Sequence, residues 1–245
     1  MTATIPTTEL HNRLAQAGHF SHQGEEPAGA SALYPAPETI VTVAMDLDPT
    51  LMPASRQRYF ACLLWSEEDP IPALRDEPAF ALPEPFRDLE PIPTDDGLLG
   101  GPFRWLVRRL FRFDRILLWP ACQYPGSDRP FADTEVLDQV PELRRMLPPD
   151  LSDLAVIGAL VLDLKQTPAC RLLYQVANEV SQSFSDFFVS DWDCREVYRL
   201  HHHGKVVVSI PDEELRHDLV NDLASWSSLI EDCSGYVSAS DDDDE

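Results

Sequence analysis

A near-continuous apolar run, Leu154-Ala-Val-Ile-Gly-Ala-Leu-Val-Leu162, opens the most strongly patterned part of this 245-residue chain. A strand covered on both faces loses its period-two alternation and reads like this. A run this short cannot cross a bilayer as a helix. The segments C-terminal to it must supply the layers that cover it. Thr167-Pro168 opens a helix, with proline where the missing N–H costs nothing. Ala169, Leu172, Leu173, Val176, Ala177, Val180 and Phe184 then share one helical face. Asp186 to Ser190 reads as a short strand. Arg195 to His201 and Lys205 to Ile210 read as two more, joined at His202-His203-Gly204 by a tight turn that uses the glycine. Ser209-Ile210-Pro211-Asp212 matches a capping box, and Asp212, Glu213 and Glu214 put negative charge at the positive end of the next helix. Leu215, Leu219, Leu223, Trp226 and Ile230 give that helix an apolar stripe, and Gly235 is its predicted stop. The pattern predicts an α+β fold: a mixed, mainly antiparallel sheet with helices packed on one side of it and a C-terminal β-α-β-β-α unit.

Upstream the signals are more broken. Thr7 to Ala17 predicts a short helix capped by Thr8, which must dock to persist. His19 to Pro37 reads as a mobile arm. Thr39 to Met45 and Arg58 to Trp65 read as strands joined into a hairpin by a long loop. Residues 69–93 carry so many prolines that extended surface segments are predicted there instead of a helix or a central strand. Phe103 to Phe113 interrupts the acidic character. Arg104, Arg108 and Arg112 lie four apart, with Arg109 and Arg115 close by. The spacing predicts an amphipathic helix whose arginines pair with the chain's own carboxylates; the alternative is a local site for a phosphate or acidic group. Arg115 to Trp119 is a further strand, and Pro141 to Leu147 a short helix. The predicted organisation is a helix and arm over 1–38, one α+β domain over 39–235, and a disordered acidic tail over 236–245.

The formal net charge is −23, and removing the five carboxylates of Asp241 to Glu245 still leaves −18. Such a surplus repels nucleic acid and anionic membrane and attracts a basic protein partner. The five scattered cysteines (Cys62, Cys122, Cys170, Cys194, Cys233) include no C-x-x-C, which predicts buried free thiols in a reducing compartment. The N-terminus carries no basic region followed by an apolar run, so no leader and no membrane span are expected, and the expected location is cytoplasmic.

Three groups of residues bear on function. First, Val43-Ala-Met-Asp46-Leu-Asp48-Pro-Thr50-Leu51 is a strand ending in D-x-D-x-T-L, which resembles the first motif of haloacid-dehalogenase-type phosphohydrolases. The resemblance implies Asp46 as nucleophile and Asp48 as general acid on a Mg²⁺-bound phosphate, with Thr50, Lys165 and Asp191 completing the site. Pro49 stands where that family has glycine, and no Ser or Thr follows Arg115 to Trp119. Second, His201 and His203 fall on one face of a strand, and with Asp191 they form a candidate facial metal site. Third, Asp191, Asp193, Glu196, Asp212, Glu213 and Glu214 form a candidate acidic face for a partner. The leading expectation is a non-catalytic binding protein, most concretely an immunity- or antitoxin-like inhibitor of a basic protein, working without a cofactor. The alternatives are the Mg²⁺-dependent phosphohydrolase and a structural subunit that uses its Pro-rich segment as a contact.

Overall fold

In a computed structural model the described residues are 3–19, 59–65, 81–87, 89, 101–120, 140–147, 157–180, 186–201, 205–226 and 230–232. They form one eight-stranded sheet and six helices. The strands are β1 (Ala3–Pro6), β2 (Tyr59–Trp65), β3 (Ile116–Pro120), β4 (Ile157–Leu162), β5 (Phe187–Asp191), β6 (Val197–His201), β7 (Lys205–Ile210) and β8 (Ile230–Asp232). The helices are α1 (Thr7–Gln16), α2 (Glu84–Arg87), α3 (Gly101–Leu110), α4 (Pro141–Met146), α5 (Thr167–Val180) and α6 (Glu213–Ala224). The spatial order is β1-β4-β3-β5-β6-β7-β2-β8. Among the described residues every pairing is antiparallel, and the α+β class with a mainly antiparallel sheet holds.

The apolar run of β4 is buried as its sequence requires, but its neighbours are not sequential. β4 and β5, joined through α5, flank β3 and are each antiparallel to it. They therefore run parallel to one another with β3 inserted between, a split β-α-β arrangement. β3 and β5 are buried at every residue, the mark of central strands with both faces covered. The C-terminal unit is β-α-β-β-β-α: the three strands predicted between its helices are all in the sheet as β5, β6 and β7, one more than the β-α-β-β-α shorthand allows.

Helices occupy both faces, which corrects the one-sided expectation. Tyr198 of β6 meets Trp105 of α3 edge to face, at 5.8 Å between ring centroids. Phe103 of α3 makes similar contacts with Phe86 of α2 and Tyr174 of α5, at 6.2 Å each. Val208 is the register partner of Tyr198, so the next residue, Ser209, points to the opposite face. There its hydroxyl lies 3.2 Å from His19 Nδ1, just beyond α1. Leu10 and Leu14 bury the inner side of α1, which supplies the docking that so short a helix needs.

Several local expectations change. Helix α1 starts after Pro6, which is extended because β1 is paired to β4, and no side chain caps it; Thr8 lies inside the helix. The Pro-rich segment is not all extended: Pro83 and Pro85 frame the single turn of α2, which puts Phe86 into the core. Helix α6 is capped by Asp212, whose carboxylate accepts from Leu215 N at 3.0 Å, and not by Ser209, which belongs to β7. It ends at Ser225, ten residues before Gly235. Ile230, read as part of its stripe, lies in β8 and pairs with Trp65 of β2. β2 also pairs with β7; its expected partner, 39–45, lies outside the described residues.

Candidate functional site

Strand β5 ends at Asp191, and the chain turns through Trp192-Asp193-Cys194-Arg195 into Glu196 and β6. The turn closes with Cys194 N donating to Asp191 O at 3.1 Å. Cys194 takes a φ of 56°, the only positive φ on a non-glycine among the described residues. An L-residue there costs on the order of 1–2 kcal/mol and persists where its surroundings fix it. Here they do. His19 is buried and its Nε2 donates to the Cys194 carbonyl at 2.7 Å. A carbonyl can only accept, so the Nε2 proton is assigned, and Nδ1 shares a hydrogen bond with the Ser209 hydroxyl at 3.2 Å.

The turn's acidic residues divide into two kinds. Asp191 and Glu196 are buried, with 3 % and 2 % exposure. Asp191 Oδ1 accepts from Glu196 N at 2.8 Å. Burial is the main cause that raises the Asp191 pKa, with the neighbouring Glu196 charge adding to it. Glu196 receives a two-pronged pair from Arg109: Nε to Oε2 at 2.8 Å and Nη2 to Oε1 at 2.9 Å. Arg109 Nε also donates to the Tyr198 hydroxyl at 2.7 Å, and that hydroxyl in turn donates to Glu196. The remaining Arg109 donors reach α6, with Nη1 on Asp222 at 3.1 Å and Nη2 on Asp218 at 3.2 Å. Trp105 Nε1 donates to the same Asp222 oxygen at 2.9 Å. Burial alone would lower the Arg109 pKa, but Tyr198 and Glu196 beside it reverse this and hold it above the ordinary value. Burial, with Glu196 next, pushes the Tyr198 hydroxyl well up. This is a structural ion-pair network. Of the arginines spaced four apart, Arg112 pairs with Asp218 and Glu196, Arg108 donates to Ala81 O at 2.8 Å, and Arg104 is buried.

Asp193 belongs to the second kind, with its side chain 67 % exposed. It lines a cleft of about 830 Å³ between α1, the turn and the start of α6. Glu9, Arg13, Arg195 and Asp212 are the other charged residues of its wall. Arg13 is spoken for: it is forked onto Glu9 at 3.2 and 2.6 Å, donates to Trp192 O at 2.9 Å, and lies 4.0 Å from the centre of the Trp192 ring. Arg115 stacks on the same indole at 4.7 Å. Asp193 is thus carried on a turn that is fixed from the core side and from α1.

The fold separates the predicted site residues. Asp193 and Asp212 share the cleft, and Glu213 and Glu214 are exposed beside it in the first turn of α6. Asp191 and Glu196 leave the proposed acidic face, because both are withdrawn into the core and satisfied there. His201 pairs with Lys205 at the end of β6 next to Phe187, whereas Asp191 ends β5 at the opposite end. Four residues of strand, ~13 Å, separate the two ends, so His201 and Asp191 cannot share a metal ion. His203 lies outside the described residues, and so do Asp46, Asp48 and Thr50. Lys165 sits on an exposed turn after β4 and donates to Asp114 at 2.7 Å; Leu162 and Asp191 are both register partners of Ile116, so this turn and Asp191 lie at the same end of the sheet. Among the described residues, no group of three or more His, Cys, Asp or Glu is arranged to hold a metal ion. Cys170 and Cys194 are buried free thiols, each pushed up to about 12 chiefly by burial.

Sequence reasoning missed Arg109 as the centre of the network. The signal was present: Arg109 is four residues after Trp105 and three after Leu106, on the apolar side of α3. An arginine on that side must find carboxylates in the core. His19 carried no comparable signal.

No family model, curated protein or solved structure matches the chain.

Proposed function

We propose that this chain is a non-catalytic, cytoplasmic, acidic protein-binding protein, most concretely an immunity- or antitoxin-like inhibitor of a basic partner protein. The observation that carries the reading is the grouping of carboxylates at one cleft: Asp193 on the fixed turn and Asp212 at the start of α6 line it, exposed Glu213 and Glu214 follow in the first turn of α6, and half-buried Glu9 of α1 lines it while held on Arg13. They are held by three elements of a single sheet-and-helix body, so little ordering is needed when a partner arrives. The net charge of −23 steers a basic protein toward this chain. Binding of this kind requires no reacting group and no cofactor. No helix among the described residues is long and apolar enough to cross a membrane.

The test is retention from native lysate on the immobilised chain at low salt, followed by elution in a salt gradient and identification by mass spectrometry. The reading requires one predominant basic protein, released over the range in which salt screens exposed charges. Retention that is insensitive to salt, or predominant retention of a neutral or acidic protein, contradicts it.

A further inference from the structure

We infer that Arg109 joins the β5–β6 turn and helix α6 into one conformational unit, so that α6 docked and the turn ordered are a single state. The path is continuous. The turn is closed by the Glu196 amide on Asp191 Oδ1 at 2.8 Å. The Glu196 carboxylate is forked onto Arg109 at 2.8 and 2.9 Å. The same guanidinium holds Asp222 and Asp218 of α6 at 3.1 and 3.2 Å. At the start of α6, Asp212 returns to the cleft that Asp193 lines from the turn. The two walls of the cleft are thus connected through the core.

Helix α6 is the element able to move. Leu219 and, just past its end, Trp226 are its fully buried apolar anchors among the described side chains; Leu215 and Leu223 are half-buried. Its polar ties include the ion pairs of Asp218 and Asp222, whose side chains are 50 % and 32 % exposed, the Trp105 indole on Asp222 at 2.9 Å, and Arg216 on Pro211 O at 2.7 Å. A helix held this way opens locally at less cost than the fully buried β3 and β5. When it opens, Arg109 loses two of its partners and Glu196 is left on a guanidinium facing water. The turn that strains Cys194 keeps its His19 bond at 2.7 Å and loses the part of its support that reaches it from α6 through Arg109 and Glu196. By linkage, anything that orders the turn favours docked α6, and the reverse. This inference concerns the free chain and does not depend on the partner proposed above.

The test is amide hydrogen exchange on the full chain, followed residue by residue by NMR, for wild type and for Asp218→Asn/Asp222→Asn. Asparagine keeps the size of both side chains and leaves an oxygen for Trp105 Nε1, so the fold is retained. The expected result is that α6 amides and the Cys194 and Glu196 amides accelerate together, by roughly threefold to tenfold for the loss of partly exposed ion pairs. Amides of β3 and β4 keep their rates. Raising the salt concentration with the wild-type chain moves the same two sets together, since the α6 carboxylates are reached by solvent. Acceleration of α6 with an unchanged turn overturns the inference. So does the absence of change in both, and so does an equal acceleration of β3 and β4, which means that the molecule opens as a whole.

Discussion

Two arginines three residues apart on α3 and its C-terminal end should differ in their importance by several kcal/mol. Arg109 has a fully enclosed side chain, and Glu196 beside it is 3 % exposed; the Arg112 side chain is 45 % exposed. In Arg109→Met the apolar stem is kept, but Glu196 stays buried with only the Tyr198 hydroxyl and a 3.4 Å contact from Arg112. Breaking a buried pair by removing one partner costs about 3–5 kcal/mol, because an uncompensated charge remains. Arg112→Ala removes contacts at 3.2 Å to Asp218 and 3.4 Å to Glu196, both open to water on the arginine's side. Such a pair contributes at most ~1 kcal/mol. Equilibrium urea unfolding measures both. The expected order is a large loss for Arg109→Met, a sizeable fraction of the roughly 5–15 kcal/mol typical of a domain, and a small one for Arg112→Ala. Arg109→Lys should fall nearer to Met than to wild type, since a lysine cannot make the fork. A loss below about 1 kcal/mol for Arg109→Met, or one no larger than for Arg112→Ala, refutes the reasoning that the Arg109–Glu196 pair is closed to water.

Asp191 and Asp218, whose pKa values shift in opposite directions, should leave opposite marks on the pH dependence of stability. Asp191 is raised in the folded state, so its contribution is present below the unfolded value near pH 4 and is lost as pH rises through the higher folded value. Asp191→Asn keeps an acceptor for Glu196 N and removes that charge, so stability at about pH 7 should be equal or higher by urea unfolding. Asp218 is lowered, for although burial works against it, the Arg112 hydrogen bond and the Arg109 and Arg112 charges prevail. Its contribution is present above the unfolded value and disappears as pH falls below about 4, and Asp218→Asn should flatten that part of the profile. A Cβ at Gly158 would meet Pro6 O and Thr7 Cα at 2.7 Å each, so Gly158→Ala must push β1 off β4; a loss of about 1–3 kcal/mol is expected on thermal unfolding. The Cys170 and Cys194 thiols, buried and pushed up to about 12, should remain unlabelled by iodoacetamide at about pH 8 until the chain unfolds, as peptide mass mapping will show.

The sequence was most legible where one period dominates. Lys205 to Ile210 is β7 to the residue, and the apolar face Ala169, Leu172, Leu173, Val176 and Ala177 places α5, while Phe184 lies outside the described residues. Legibility failed where a local pattern has two solutions. The stripe Leu215, Leu219, Leu223, Trp226, Ile230 continues past the true end of α6 because Ile230 suits a strand equally well. What stops the helix is serine: Ser225 Oγ donates to the Asp222 carbonyl and competes with the helical ladder. Strand β1 has four residues and ends in proline, so its pairing to β4 exists only once Gly158 lets the backbones approach. In the site, Asp191, Asp193 and Glu196 looked alike because a turn rich in charge reads as solvated. Their separation into core and surface depends on Arg109, eighty-seven residues away from Glu196, and no local pattern reports a partner at that distance.

The most direct test of the binding face compares retention of a basic lysate protein by wild type, by Asp193→Asn/Asp212→Asn/Glu213→Gln/Glu214→Gln, and by Asp191→Asn. The fourfold variant keeps the α6 cap, since asparagine caps as well as aspartate. The single variant changes a buried carboxylate only. Loss of retention in the fourfold variant, with Asp191→Asn binding like wild type, is the predicted result. Equal retention by the fourfold variant contradicts an acidic binding face at this cleft, whichever protein is retained.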